Sequence, residues 1–474
     1  MPLFSFFTKR NHQARVLTDE ELAAKKHLFW ALATFSIMAI GCLVRLYLVY
    51  KTPYDVSTHD VGYAVGMNSD KLGSGHIGYI EYICKNRGLP DFDPTTRWSF
   101  YNPPAFHSAA AIFLRIGLSL GLPEQAAWEF VQYLPFLCIT FTVFFAYLLF
   151  KEFKIGALPT FLSVSLLSFH PALTHQALAL NNDAPALMLT VLAFYLTVRW
   201  YRTQALRTLV GVAVCVGLGM MTKLTVALIA PPIAMILIYK FFKEKTYLRH
   251  VKHFSLFAVI CAPLGLFFPI RNAILYGMPL NYVQSLSETS KQFIGNYSLT
   301  ERFGLPAFSD FLRTEASFSS ASELGFADHN IWSQTLRTSL FDDNLLVPTT
   351  STQEVLASAL MIVTLLLALT VIVLAVIGLI RAKTASPVLR IAVSVASLLL
   401  LYNFLTFCID YPFTCTVHFR YITVLLVFAG IGMGLWWQNA KKPIPVRIVK
   451  AVTAVLTAVF CLFSAYLCLV CYAV

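Results

Sequence analysis

Charge is what this sequence has least of. Asp, Glu, Lys and Arg make up 13 % of the residues against 57 % hydrophobic, whereas soluble domains carry about a quarter charged residues. That shortage excludes an ordinary soluble domain. The chain has no CxxC, no HExxH and no P-loop motif, so ATP hydrolysis and a zinc site have no sequence support. No cleavable signal peptide is visible, because residues 1–27 are polar and charged with no short apolar core leading to a small-residue cleavage site. Internal repeats and low-complexity segments are lacking too, which counts against an inverted-repeat transporter. The ten cysteines fall mostly inside apolar runs, where Cys behaves as a small hydrophobe. A Cys408–Cys415 bridge is one option, which spacing alone does not fix.

What the chain does have is apolar runs of about 20 residues, long enough to cross a bilayer as helix. The expected fold class is all-α, a polytopic transmembrane helix bundle. Twelve such runs would put "KEFK" (151–154) outside and invert every later loop. The conflict disappears if the weakest run, 105–122, which carries His107 and Arg115, lies at the surface as an interfacial helix. Eleven crossings then remain, at 28–50, 130–150, 155–173, 184–200, 206–222, 224–241, 254–276, 355–380, 388–407, 420–437 and 448–472. The expected organisation is a cytoplasmic segment 1–27, a catalytic transmembrane module 28–276 with a first outer loop at 51–129, a second outer loop 277–354, and carboxyl-terminal membrane helices 355–474.

The loops on the amino-terminal side hold 22 of the 36 Lys and Arg but only 5 of the 24 acids. This is the positive-inside pattern and places the amino terminus in the cytoplasm. It also accounts for the net charge of +12, since basic loops suit the anionic inner leaflet. Nucleic acid is not implied. Two long outer segments are expected to be functional, with surface helices in the first and short capping helices in the second.

Polar groups that could carry chemistry stand near the outer membrane ends. His59 and Asp60 follow the first crossing. "YNPPAFH" (101–107) brings Tyr101 and His107 beside a rigid diproline turn. "NND" sets Asn182 and Asp183 at the mouth of the fourth crossing, where they also suit a helix cap ahead of Pro185. Lys223 lies in the turn after the fifth crossing, Arg271 ends the seventh, and His418 and Arg420 open the tenth. Each cation alone suits snorkelling to lipid headgroups. Cations from three helices on the acidic side look more like a phosphate site. Such a site suits a reaction between a lipid-borne phosphate and a polar acceptor, in which cations stabilise the leaving group and a carboxylate acts as base.

The ordered set "HDVGYA", "LGSGHIGYIEYICKNRGLPD", "YNPPAFH", "NNDAP", "GMMTKLT", "PIRNAILYGMPL" and "HFRYI" resembles the C-type glycosyltransferases. The nearest branch contains aminoarabinose transferase and the protein O-mannosyltransferases. That resemblance implies transfer of a sugar from a polyprenyl-phosphate carrier to a lipid, glycan or protein acceptor on the outer face, commonly with inversion. It implies Asp60 as the catalytic carboxylate with Asp183 near the sugar or acceptor. Lys223, Arg271 and Arg420 would grip the phosphate, with His418 beside them, and Tyr101 and His107 would line the pocket. Many relatives carry Asp-Glu where this chain has Asp60-Val61. The diproline turn is followed by Ala105-Phe106-His107, which departs from the close branches and leaves the acceptor open. No metal cluster stands out beyond His59 and Asp60; some superfamily members need a divalent cation and others do not. Alternatives are a lipid-linked glycan polymerase or ligase with a pyrophosphate donor, and a lipid-linked glycan transporter. The expected location is a bacterial plasma membrane.

Overall fold

The structure is a computed structural model, which describes residues 19–56, 62–312, 329–342, 346, 348–440 and 443–472. Among these the fold is helical throughout, with isolated β-bridges only. In chain order come α1 (Asp19–Lys51), α2 (Gly75–Asn86), α3 (Ala105–Ser119), α4 (Glu124–Val131), α5 (Tyr133–Glu152) and α6 (Ala157–Phe169). They are followed by α7 (Pro171–Leu178), α8 (Asp183–Thr203), α9 (Leu206–Thr222), α10 (Ala230–Glu244) and α11 (Tyr247–Tyr276). Helix Ile331–Leu340 lies in the second long loop, and helices Ser351–Arg381, Pro387–Asp410, Leu425–Asn439 and Ile444–Val470 complete the bundle.

Eight helices among the described residues are long and apolar enough to cross a membrane. The number rises to ten if two bent pairs each count as one span, α6 with α7 (47°) and Thr414–Ile422 with Leu425–Asn439 (44°). The remaining expected crossing is α9, with 17 residues. Every one of the eleven runs read from the sequence is therefore helical. The run expected at the surface forms α3, whose 15 residues span about 22 Å at 1.5 Å per residue, short of the roughly 30 Å hydrocarbon core. It packs with α2 and α4 around Ile77, Ile80, Phe106, Leu114, Trp128 and Val131 as a second small core.

The basic loops meet at one end of the bundle. Arg202 pairs with Glu152 at 3.3 Å, Tyr201 Oη and Ser386 Oγ share a hydrogen bond of 2.9 Å, and the Gly156 amide donates to Gln438 at 3.1 Å. Near the middle of the sequence the chain breaks where the local chemistry requires it. Pro171 supplies no amide donor, so α6 stops at Phe169. His170 caps α7 by accepting the Ala172 amide at 3.3 Å. The Ser168 carbonyl at the break is taken by the buried Arg45 guanidinium at 2.7 Å, which meets the need of a buried main-chain acceptor.

Helices Ser351–Arg381 and Leu425–Asn439 cross with their backbones almost touching. A Cβ on Gly378 would lie 2.0 Å from the Gly432 carbonyl oxygen, and one on Gly432 would lie 2.7 Å from Ala375 Cα. Small residues permit this approach in membrane bundles. The Cys408–Cys415 bridge is not formed: Cys408 is a free, buried thiol donating to the Thr416 carbonyl at 3.5 Å.

Candidate functional site

The site is assembled at three chain breaks. The first is the start of α8. Asp and Asn both favour helix caps, but here Asn181 does the capping, its Oδ1 accepting the Asp183 amide at 3.0 Å. That releases the next two side chains. Asn182 Nδ2 donates to Asn102 Oδ1 at 3.3 Å and to the Thr222 carbonyl at 3.0 Å, tying the diproline turn to the end of α9. Asp183 is left with its carboxylate buried in the first turn, where the helix dipole favours an anion.

The second break follows α9. Lys223 is extended (φ −154°, ψ 122°) and leads into a 3₁₀ turn at Leu224–Ile229. Its ammonium pairs with Asp183 Oδ1. The third is the 3₁₀ turn Phe419–Ile422, which carries Arg420. Arg420 Nε lies 3.8 Å from Asp183 Oδ2, with both side chains 7 % exposed. Tyr421 joins the two cations. Lys223 Nζ and the Arg420 guanidinium carbon each lie 4.9 Å from its ring centroid, and Arg420 Nη2 donates to its hydroxyl at 2.8 Å. One carboxylate and two cations from segments far apart in sequence thus form one cluster. Such a cluster can hold an anion of phosphate type.

The other expected residues have partners of their own. Tyr101 stands edge-on to Tyr282 with centroids 5.4 Å apart. Arg271 keeps different company, donating to the Pro90 carbonyl at 2.7 Å and to Asn272 Oδ1 at 2.8 Å; it ties α11 to the segment that follows α2. His107 is fully buried, shares a hydrogen bond of 2.8 Å with His76 Nδ1, and stacks on Tyr79. Burial, reinforced by the neighbouring His76, holds the His107 pKa well below the ordinary histidine value. His418 pairs with Asp342 at 2.7 Å. His59 and Asp60 lie outside the described residues. Among those described, no group of three or more His, Cys, Asp or Glu side chains is gathered as a metal site would need.

Sequence reading missed Asn102, His76, Tyr421 and Asp342. Asn102 and Tyr421 each adjoin a residue already singled out, so inspecting immediate neighbours would have found them. His76 and Asp342 carry no such signal.

Fold and site together define a polytopic helical membrane protein with a buried carboxylate and two cations gathered where its helices break. Residues 103–267 match the family described as dolichyl-phosphate-mannose-protein mannosyltransferase, which upholds the resemblance to the C-type glycosyltransferases over the stretch holding the diproline turn, Asp183 and Lys223. No curated protein matches the chain. Among solved structures, the oligosaccharyltransferase of Archaeoglobus fulgidus in its apo form is 13 % identical with a TM-score of 0.47, covering 93 % of this chain and 56 % of its own. The same enzyme in complex with Zn and sulfate is 13 % identical with a TM-score of 0.48, covering 92 % of this chain and 53 % of its own. Its complex with an inhibitory peptide and a dolichol-phosphate is 12 % identical with a TM-score of 0.46, with 92 % and 55 % covered. The chain spans little more than half the length of these archaeal structures.

Proposed function

We infer that the protein is a glycosyltransferase that moves a sugar from a polyprenyl-phosphate carrier to an acceptor at the outer face of the membrane, with its amino terminus in the cytoplasm. The observation that carries this reading is the convergence of Asp183, Lys223 and Arg420. Two cations meeting at one carboxylate offer charged donors suited to an anionic headgroup. In the proposed reaction an acceptor hydroxyl or amine attacks the anomeric carbon while the bond from that carbon to the phosphate oxygen breaks, which inverts the sugar. The released phosphate is stabilised by Lys223 and Arg420 as its charge develops. Asp60 takes the acceptor's proton, a role that rests on the family resemblance. Tyr101 and Asn182 shape the approach from the diproline side. Arg271 holds the segment that follows α2 against α11.

The test is purified protein in lipid nanodiscs with a panel of radiolabelled polyprenyl-phosphate sugars, mannose included, scoring sugar lost from the carrier. Release that requires Asp60, Lys223 and Arg420 supports the reading. Folded protein that turns over none of the carriers overturns it.

A further inference from the structure

The 3₁₀ turn that carries Arg420 is pinned by side chains remote from the proposed chemistry. His418 Nδ1 accepts the Arg420 amide at 3.1 Å. An acceptor nitrogen carries no proton, so the proton of a neutral ring sits on Nε2 and is donated to Asp342 Oδ1 at 2.7 Å. The Phe419 amide donates to Thr338 Oγ1 at 3.1 Å. On the far side of the turn, Gln176 Nε2 donates to Thr423 Oγ1 at 2.7 Å, and that hydroxyl donates back to the Phe419 and Arg420 carbonyls at 3.2 Å. Asp342, His418, Thr338 and Gln176 are all buried. Asp342 adopts φ +55°, a left-handed conformation that Asp reaches more readily than most residues.

Two of these groups, Thr338 and Asp342, come from the second long loop and its helix Ile331–Leu340. We propose that Asp342, acting through His418 and together with Thr338, is a positioning residue that fixes the Arg420 guanidinium beside Asp183, so that the second long loop sets the affinity for the phosphate headgroup. The alternative role for a buried His–Asp pair is cohesion of the bundle alone. The geometry favours positioning because both hydrogen bonds to the turn end on consecutive amides, Phe419 and Arg420, directly beneath the cation. This inference rests on the phosphate-binding reading of Arg420, and two measurements separate its failure from that of the reading.

The first measurement is hydrogen exchange of the peptide spanning residues 418–422 in the intact, detergent-solubilised protein. Asp342→Ala and Thr338→Val are each expected to speed exchange there about 10-fold or more, the scale of one lost buried hydrogen bond, with peptides in α8 and α9 unchanged. Asp342→Asn keeps an oxygen for the His418 proton and is expected to stay near wild type. Exchange at 418–422 that does not change in either Asp342→Ala or Thr338→Val overturns the proposal. Thr338→Val, close to isosteric, keeps the test open where Asp342→Ala fails to fold.

The second is equilibrium binding of radiolabelled undecaprenyl phosphate. Arg420→Ala and Asp342→Ala are each expected to weaken it about 10-fold, and the double variant no further, because residues acting through one group are non-additive. An additive loss in the double variant overturns positioning through Arg420. Wild-type protein that binds no undecaprenyl phosphate, with exchange at 418–422 responding as expected, leaves the pinning of the turn intact and overturns the phosphate reading.

Discussion

Replacing Asp183 by asparagine removes one negative charge from between two cations while changing the side-chain volume little. At 3.8 Å the attraction between Arg420 and Asp183 is about 4 kcal/mol at an effective dielectric constant near 20. Lys223 contacts the other carboxylate oxygen. Lost hydration offsets much of this in the wild type, since all three charges are withdrawn from water. Asparagine keeps that loss and gives up the attraction. Breaking a buried pair by removing one partner costs about 3–5 kcal/mol. The Lys223 side chain retains 19 % exposure, so the lower end, about 3 kcal/mol, applies here. The effect on a ligand has the opposite sign, because loss of the carboxylate makes the cluster more positive by one charge. Asp183→Asn is therefore expected to lower the melting temperature in detergent while tightening undecaprenyl phosphate binding. Removing a cation as well, in Asp183→Asn/Lys223→Met, should recover most of the lost stability, a coupling that a double-mutant cycle reads directly. A single variant that melts like wild type, or that binds the phosphate lipid more weakly, would refute the electrostatic account of the cluster.

Three further outcomes follow from the same structure. The depressed pKa of His107 means that below about pH 6.5 the unfolded chain binds a proton that the folded chain does not. Stability should then fall with pH below that point by at most about 1.4 kcal/mol per unit; melting curves from pH 7.5 to 5 check this, with His107→Phe expected to flatten the slope. At the Gly378–Gly432 crossing, Gly378→Val inserts atoms where a Cβ alone would stand 2.0 Å from a carbonyl oxygen. It should destabilise by about 1–3 kcal/mol or more, and a variant as stable as wild type would mean that the two helices do not cross so closely. For orientation, Ser119→Cys, exposed at the end of α3, should react with a membrane-impermeant thiol reagent from outside, and Thr203→Cys, exposed at the end of α8, only from the cytoplasm. The reverse pattern would invert the proposed topology.

The bundle was legible because membrane helices announce themselves by composition. The apolar run read at 155–173 covers α6 but only the first residues of α7, and the 47° bend between them did not register. The run 105–122, which the charge conflict moved to the surface, forms α3, a helix of 15 residues. The cluster was half legible. Asp183, Lys223 and Arg420 stood out as charges at the ends of separate apolar runs, although capping and snorkelling would each account for one of them alone. Hidden from sequence was how they divide their work. Capping by Asn181 freed Asp183, and nothing in "NND" says which of its three members caps. Partners such as Asp342 for His418, 76 residues apart, lie in an aperiodic loop that offers no register to read. Arg271 shows the same limit from another side, since its partner is a main-chain carbonyl at Pro90, and any residue type supplies one.

The wide spacing of the charged cluster also orders its biosynthesis. Asp183 and Lys223, 40 residues apart, leave the ribosome close together and can pair while α8 and α9 settle in the membrane. Thr338 and Asp342 follow after two more long helices, Leu224–Glu244 and α11, and Arg420 arrives only after two further ones, Ser351–Arg381 and Pro387–Asp410. Until then Asp183 has its Lys223 partner without Arg420. On the proposed function, translation products that stop before this point would carry the membrane helices without the second cation of the phosphate site.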